Sequence, residues 1–130
     1  MASLHRDIPI GSSPEHVWSI VRDFGAVQKL APGFVVDAEL EGNTRVVTFA
    51  NGNVAREMLV DCDEARRRLV YAISNERVKH YNAVVEVIAD GADNSRLRWT
   101  VDVLPHEIAP YISSQMDQAA TSMQQALSKR

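Results

Sequence analysis

The chain has 130 residues, 45% of them apolar and 24% charged, with a formal net charge of −3. That is an ordinary globular composition at a length that suits one domain, so 1–130 reads as a single unit. The charge speaks against a nucleic-acid partner, because a phosphate binder concentrates basic charge on one face. Here the basic run Arg66-Arg67-Arg68 follows Asp61, Asp63 and Glu64 and reads as a solvated turn. No apolar segment approaches the roughly 20 residues of a membrane span. The N-terminus lacks the apolar stretch of a signal peptide, so a cytoplasmic location is the default expectation. Cys62 stands alone, which rules out an internal disulfide, and it reads as a small residue at a strand end rather than a nucleophile.

Leu4, Ile8 and Ile10 alternate with His5, Asp7 and Pro9, the period of a half-buried strand that Gly11 ends. Ser12-Ser13-Pro14-Glu15 predicts a helix start, either with Ser13 as cap and Pro14 in the first position, or with Ser12 as cap and Glu15 reaching back. Val17, Ile20, Val21 and Phe24 share a helical face with Trp18 at its edge. Gly25 is the expected stop, with one further turn over 26–30 before Ala31-Pro32-Gly33.

From Phe34 the period becomes two. Strands are predicted over 34–40, 44–50, 53–61, 68–74, 80–89 and 95–104. Asn51-Gly52 is the strongest hairpin signal, since both residues tolerate positive φ. After Pro105 an amphipathic helix is predicted from Glu107 or Pro110 to about Ser128. Ile108, Ile112, Met116, Ala119, Met123 and Leu127 fall on its apolar face. Consecutive strands without long crossovers must pair antiparallel. The sheet's apolar face and the helix's apolar stripe then bury one another, giving an α+β fold. If the sheet curves, a cavity opens beneath the helix.

This order, with Ile10-Gly11-Ser12-Ser13-Pro14-Glu15-His16-Val17-Trp18, Val21-Arg22-Asp23-Phe24-Gly25, Asn51-Gly52, Arg56-Glu57, the turn over 61–68, Tyr71, Tyr81 and Trp99, resembles the START-like or SRPBCC superfamily. The nearest likeness is to its polyketide cyclase/dehydrase and lipid-transport branch, which is also similar to the plant abscisic-acid receptors. The resemblance implies a helix-grip fold, with a curved antiparallel sheet wrapped around the last helix. It also implies an apolar pocket mouthed by the loops near Pro32-Gly33, Asn51-Gly52 and 75–79. One fold hosts many activities, so the resemblance speaks to architecture more than to chemistry.

Glu57 is the sharpest candidate for chemistry. The resemblance places it on the concave face with Ala55 and Leu59, where an apolar setting would raise its pKa and suit it to general acid–base work or to anchoring a hydroxyl. Periodicity argues the reverse: Val54, Met58 and Val60 alternate with it, and a shift of one residue moves every side chain across a sheet. Tyr71 and Tyr81 each pair an apolar ring with a hydroxyl, which suits either a pocket wall or the core. Tyr81 shares a face with Ala83, Val85 and Val87. Trp99 shares one with Leu97, Val101 and Val103 and points inward. From the last helix, Ile112 and Met116 face the sheet, while Met123 and Leu127 read as ordinary packing. His106 falls where relatives have a loop near the pocket mouth. No histidine pair has metal-ligand spacing, and neither a metal nor a cofactor is expected.

Two departures from the hormone receptors stand out. Their ligand-binding lysine falls near Val36, and a serine two residues after the strand tyrosine is here Ala83. Both changes make the implied pocket more apolar and favour a neutral or weakly polar ligand. The function expected is binding of a small hydrophobic molecule at Val36, Glu57, Tyr71, Tyr81, Ala83, Trp99, Ile112 and Met116. The alternatives are a cyclase or dehydratase using Glu57 as acid or base, and a homodimeric interaction module with a vestigial pocket.

Overall fold

One sheet of seven antiparallel strands wraps a C-terminal helix in the computed structural model, which describes residues 2–128. The elements are β1 (Ala2–Ile10), α1 (Pro14–Val21), a 3-10 segment (Phe24–Lys29), β2 (Val35–Glu41), β3 (Thr44–Phe49), β4 (Val54–Asp63), β5 (Arg68–Ile73), β6 (His80–Ala89), β7 (Ser95–Leu104), a short 3-10 turn (His106–Ile108) and α2 (Ala109–Leu127). The strand order β1-β7-β6-β5-β4-β3-β2 is a meander whose last strand returns to pair with the first. This is the helix-grip α+β architecture expected from the order of elements.

α1 begins as its sequence dictates. Ser13 Oγ accepts a hydrogen bond from the His16 N–H at 3.2 Å, and Pro14 occupies a position that needs no donor. The helix does not run to Gly25. It ends at Val21, and the chain re-forms as the 3-10 segment, kinked at Ala26, where φ is −125°. Gly25 serves close approach instead. A Cβ there would lie 2.7 Å from Leu40 Cγ, because β2 packs against this segment.

Two β-bulges shape the sheet. The β2–β3 register shifts between Val35 and Asp37, and the β4–β5 register between Leu59 and Asp61. Each adds a residue to one strand and bends it. The hollow face receives α2, where Met116, Ala119, Met123 and Leu127 join Leu97, Trp99, Val101 and Val103 in a single buried cluster. Polar ties fix the helix along its length. Arg6 bonds Asp117 Oδ1 at 2.8 Å and Ser113 Oγ at 2.8 Å, Ser122 Oγ donates to Pro32 O at 2.6 Å, and Ser12 Oγ donates to Leu127 O at 2.6 Å.

The 61–68 turn is pinned to α1 by Glu64, which accepts from Trp18 Nε1 at 2.8 Å and from the Arg22 guanidinium. Trp18 thus faces this turn and does not line the cavity between sheet and α2. Cys62, at the end of β4, lies 3.8 Å from Glu64. Burial and then the Glu64 charge push its thiol pKa up, which leaves it a poor nucleophile.

Candidate ligand-binding site

Between the sheet's hollow face and α2 lies an open cavity of about 780 Å³. That volume is within the usual range for small-molecule sites. Apolar side chains supply most of its wall, among them Val35, Val47, Phe49, Val85, Ile112 and Met116. Phe34 and Phe49 meet edge to face at 5.4 Å and line the cavity without closing it. Exposed lining residues from three loops and the start of α2, including Asn53, Glu76, Arg77, Glu107 and Tyr111, form its rim. Asn53 Nδ2 donates to the Tyr111 hydroxyl at 3.1 Å and so bridges the β3–β4 loop to α2.

Glu57 lies inside. It is buried between the half-buried Ala55 and Leu59, whereas Val54, Met58 and Val60 are exposed. The hydrophobic period of β4 points to the wrong face because a charged partner holds the carboxylate within. Arg45 stands opposite Glu57 across the β3–β4 ladder. Its Nε donates to Glu57 Oε1 at 2.7 Å, with side-chain exposures of 5% and 8%. The guanidinium is stacked between two rings, 4.1 Å from the Phe24 centroid and 4.8 Å from that of Tyr71, and Nη1 donates to Phe24 O at 3.3 Å. Weak hydration and a flat π-face make arginine the cation best suited to such a slot. Glu57 thus lies on the concave face, as the resemblance implied, but as one half of an ion pair and not as a solitary carboxylate in an apolar pocket.

Tyr71 and Tyr81 extend the polar floor, their rings tilted and 6.5 Å apart. Burial pushes the pKa of both hydroxyls well above the ordinary tyrosine range. The Glu57 charge raises both further, and Arg45 partly opposes the rise. Both are neutral donors at any physiological pH. Trp99 and Tyr81 favour the Tyr71 phenolate weakly, yet the buried Trp99 Nε1–H meets no acceptor at full hydrogen-bond geometry among the described residues.

Of the candidates read from the sequence, Glu57, Tyr71, Tyr81, Trp99, Ile112 and Met116 all line this cavity. Val36 does not: it is 57% exposed, and Val35 lines the wall in its place. The bulge explains this correction. Ala38 and Leu40 pair with Val47 and Arg45 on the hollow face, and strict alternation from them would turn Val36 inward. The extra residue resets the phase. Ala83 is buried in the core beneath the wall and is not part of the lining. His106 is exposed and lies outside the lining, although its neighbour Glu107 belongs to it.

Arg45 is the cavity-lining residue the sequence did not point to. The signal was the hairpin. A two-residue Asn51-Gly52 loop would set Val46 against Glu57. The loop instead takes three residues, with Phe49 N–H bonded to Asn53 O at 2.9 Å and Gly52 at φ +92°, and this sets Arg45 there.

Among the described residues, no group of three or more His, Cys, Asp or Glu side chains could hold a metal ion, and no helix is long and apolar enough to cross a membrane.

A curved sheet gripping a long helix over an apolar cavity defines a START-like, helix-grip protein. The chain belongs to the polyketide cyclase / dehydrase and lipid transport family, whose model matches residues 1–129. No curated protein matches it by sequence. Solved structures share the fold across almost the whole chain. An uncharacterised protein from Bacillus thuringiensis is 20% identical, with a TM-score of 0.87 and coverage of 97% of this chain and 98% of that one. A START superfamily protein from Mycobacterium smegmatis is 13% identical, with a TM-score of 0.74 and coverage of 96% and 93%. The ZhuI aromatase/cyclase from Streptomyces is 16% identical, with a TM-score of 0.76 and coverage of 97% and 90%.

Proposed function

We propose that the protein binds a small hydrophobic molecule in the cavity between sheet and α2. The observation that carries this reading is the open space bounded by Glu57, Tyr81 and Met116. A filled interior would leave a folded module with nothing to hold, whereas this volume can take most of a small ligand's surface out of water. Transfer of apolar area from water contributes about 25 cal/mol per Å². The thioether of Met116 adapts to ligands of irregular shape. The family's breadth, which takes in both lipid transport and polyketide chemistry, agrees with an apolar cargo.

A second reading is a cyclase- or dehydratase-type enzyme, and the polar floor favours it. Glu57 would move a proton at Oε2, since Oε1 is committed to Arg45. Tyr71 or Tyr81 would donate to a carbonyl oxygen and hold it in place. The walls would fold the substrate near its reactive geometry while excluding water.

The test is mass spectrometry of an organic extract of the purified protein, followed by return of any recovered molecule to the emptied protein. Recovery of an intact molecule that raises the melting temperature supports the carrier. Ligand at a hundred times its Kd should add about 2.7 kcal/mol of apparent stability. Conversion of that molecule, lost in Glu57→Gln with binding retained, supports the enzyme. If no hydrophobic compound co-purifies with the protein or stabilises it, both readings fall.

A further inference from the structure

The polar floor contains two charges but carries no net charge. Arg45 and Glu57 neutralise each other at 2.7 Å, and each also keeps one atom uncommitted. Arg45 spends Nε on Glu57 and Nη1 on Phe24 O, and Nη2 makes no hydrogen bond within the described residues. Glu57 accepts at Oε1 alone, and Oε2 has no partner there. Both residues line the cavity. The wall thus offers a donor and an acceptor side by side, with the Tyr71 and Tyr81 hydroxyls as further neutral donors nearby.

We propose that the Arg45–Glu57 pair selects neutral ligands carrying a hydroxyl group, phenols or alcohols, over carboxylates and hydrocarbons of the same skeleton. The inference rests on the cavity being a ligand site and goes further by naming the ligand's polar group. A hydroxyl is itself one donor and one acceptor. It can donate to Glu57 Oε2 and accept from Arg45 Nη2 or a tyrosine without disturbing the pair. A carboxylate has only acceptors. It can accept from Arg45 Nη2, but it has no proton to give Glu57 Oε2 and would bring a second negative charge against the first in a low-dielectric site. A hydrocarbon would cover both open atoms and leave them without partners.

The experiment compares naphthol, naphthoate and methylnaphthalene of one substitution pattern, titrated into the purified protein near neutral pH with thermal shift and protein-observed NMR as readouts. Naphthol should bind about tenfold tighter than either of the others, equivalent to about one net hydrogen bond. Glu57→Gln leaves the Arg45 charge unopposed, so the order should invert and naphthoate should bind best. If that variant fails to fold, Arg45→Met/Glu57→Leu decides, because an apolar pair of similar volume should keep the fold yet lose the preference for naphthol over methylnaphthalene. Naphthoate or methylnaphthalene binding the native protein as tightly as naphthol, or a double variant that keeps the preference, overturns the inference but leaves the carrier standing. Failure of all three compounds to bind, methylnaphthalene included, overturns both.

Discussion

Arg45 and Glu57 face one another across the β3–β4 ladder and meet at 2.7 Å beneath the cavity, with the guanidinium stacked between Phe24 and Tyr71. Removing one member of a buried pair strands the other charge. Arg45→Met should therefore destabilise the protein by about 3–5 kcal/mol, while the double variant Arg45→Met/Glu57→Leu should lie near or above the native stability. Urea denaturation of the three proteins measures both. A double variant as unstable as the single one would show that the pair is needed for the fold itself.

The buried tyrosines give the protein an alkaline limit. In the unfolded chain both hydroxyls titrate near the ordinary tyrosine value of 10.0, whereas in the fold burial holds their pKa higher. A raised folded pKa means that the contribution to stability is fully present below the unfolded value and is lost as pH climbs above it. Melting temperature should not respond to these groups below about pH 10 and should fall beyond it. Tyr71→Phe/Tyr81→Phe should flatten that fall. The phenolate absorbance of Tyr71 and Tyr81, taken as the difference from the double variant, should develop late, in step with unfolding.

The bridge between Asn53 and Tyr111 crosses the rim of the cavity. As an exposed bond it should add little to stability, so Tyr111→Phe should stay within about 0.5 kcal/mol of the native protein. Entry and exit should respond instead. Association and dissociation of a bound ligand should both quicken while Kd changes by less than about threefold, as stopped-flow mixing would show. A large loss of affinity would mean that Tyr111 contacts the ligand directly.

The β2 bulge can be tested by a pair of neighbouring substitutions. Val36→Asp places a charge in solvent and should change stability by no more than about 0.5 kcal/mol. Val35→Asp places it in the cavity wall, where burying an unpaired polar group should cost about 2 kcal/mol or more. Thermal melts of the two variants suffice. Equal effects would contradict an inward Val35 and an outward Val36.

The architecture was legible because its signals are long-range and redundant. β6 and β7 carry clear period-two runs, β5 a short apolar run between turns, and α2 its apolar stripe over 19 residues. The site was legible only where alternation held. Tyr81 and Trp99 sit in regular strands, and their faces follow directly from their neighbours. Val36 was misplaced because a bulge leaves no compositional mark, yet reverses the phase of everything on one side of it. For Glu57 the hydrophobic pattern pointed outward, and only the resemblance turned it inward. The physical cause, Arg45, lay in the choice between a two- and a three-residue hairpin loop, a one-residue difference that the Asn51-Gly52 signal does not resolve. Gly25 was read as a helix stop because the contact with Leu40 that explains it comes from a distant strand.

The central claim is that ligand enters the space under α2, and the two faces of the sheet provide an internal control. Met116 and Trp99 line the cavity, while Met58 lies exposed on the opposite face and Trp18 is bonded to Glu64. Titration with naphthol, followed by NMR through the methionine methyl and indole N–H signals, should shift Met116 and Trp99 along a saturable curve and leave Met58 and Trp18 in place. Shifts confined to Met58, or no saturable shift at Met116 and Trp99, would contradict the account.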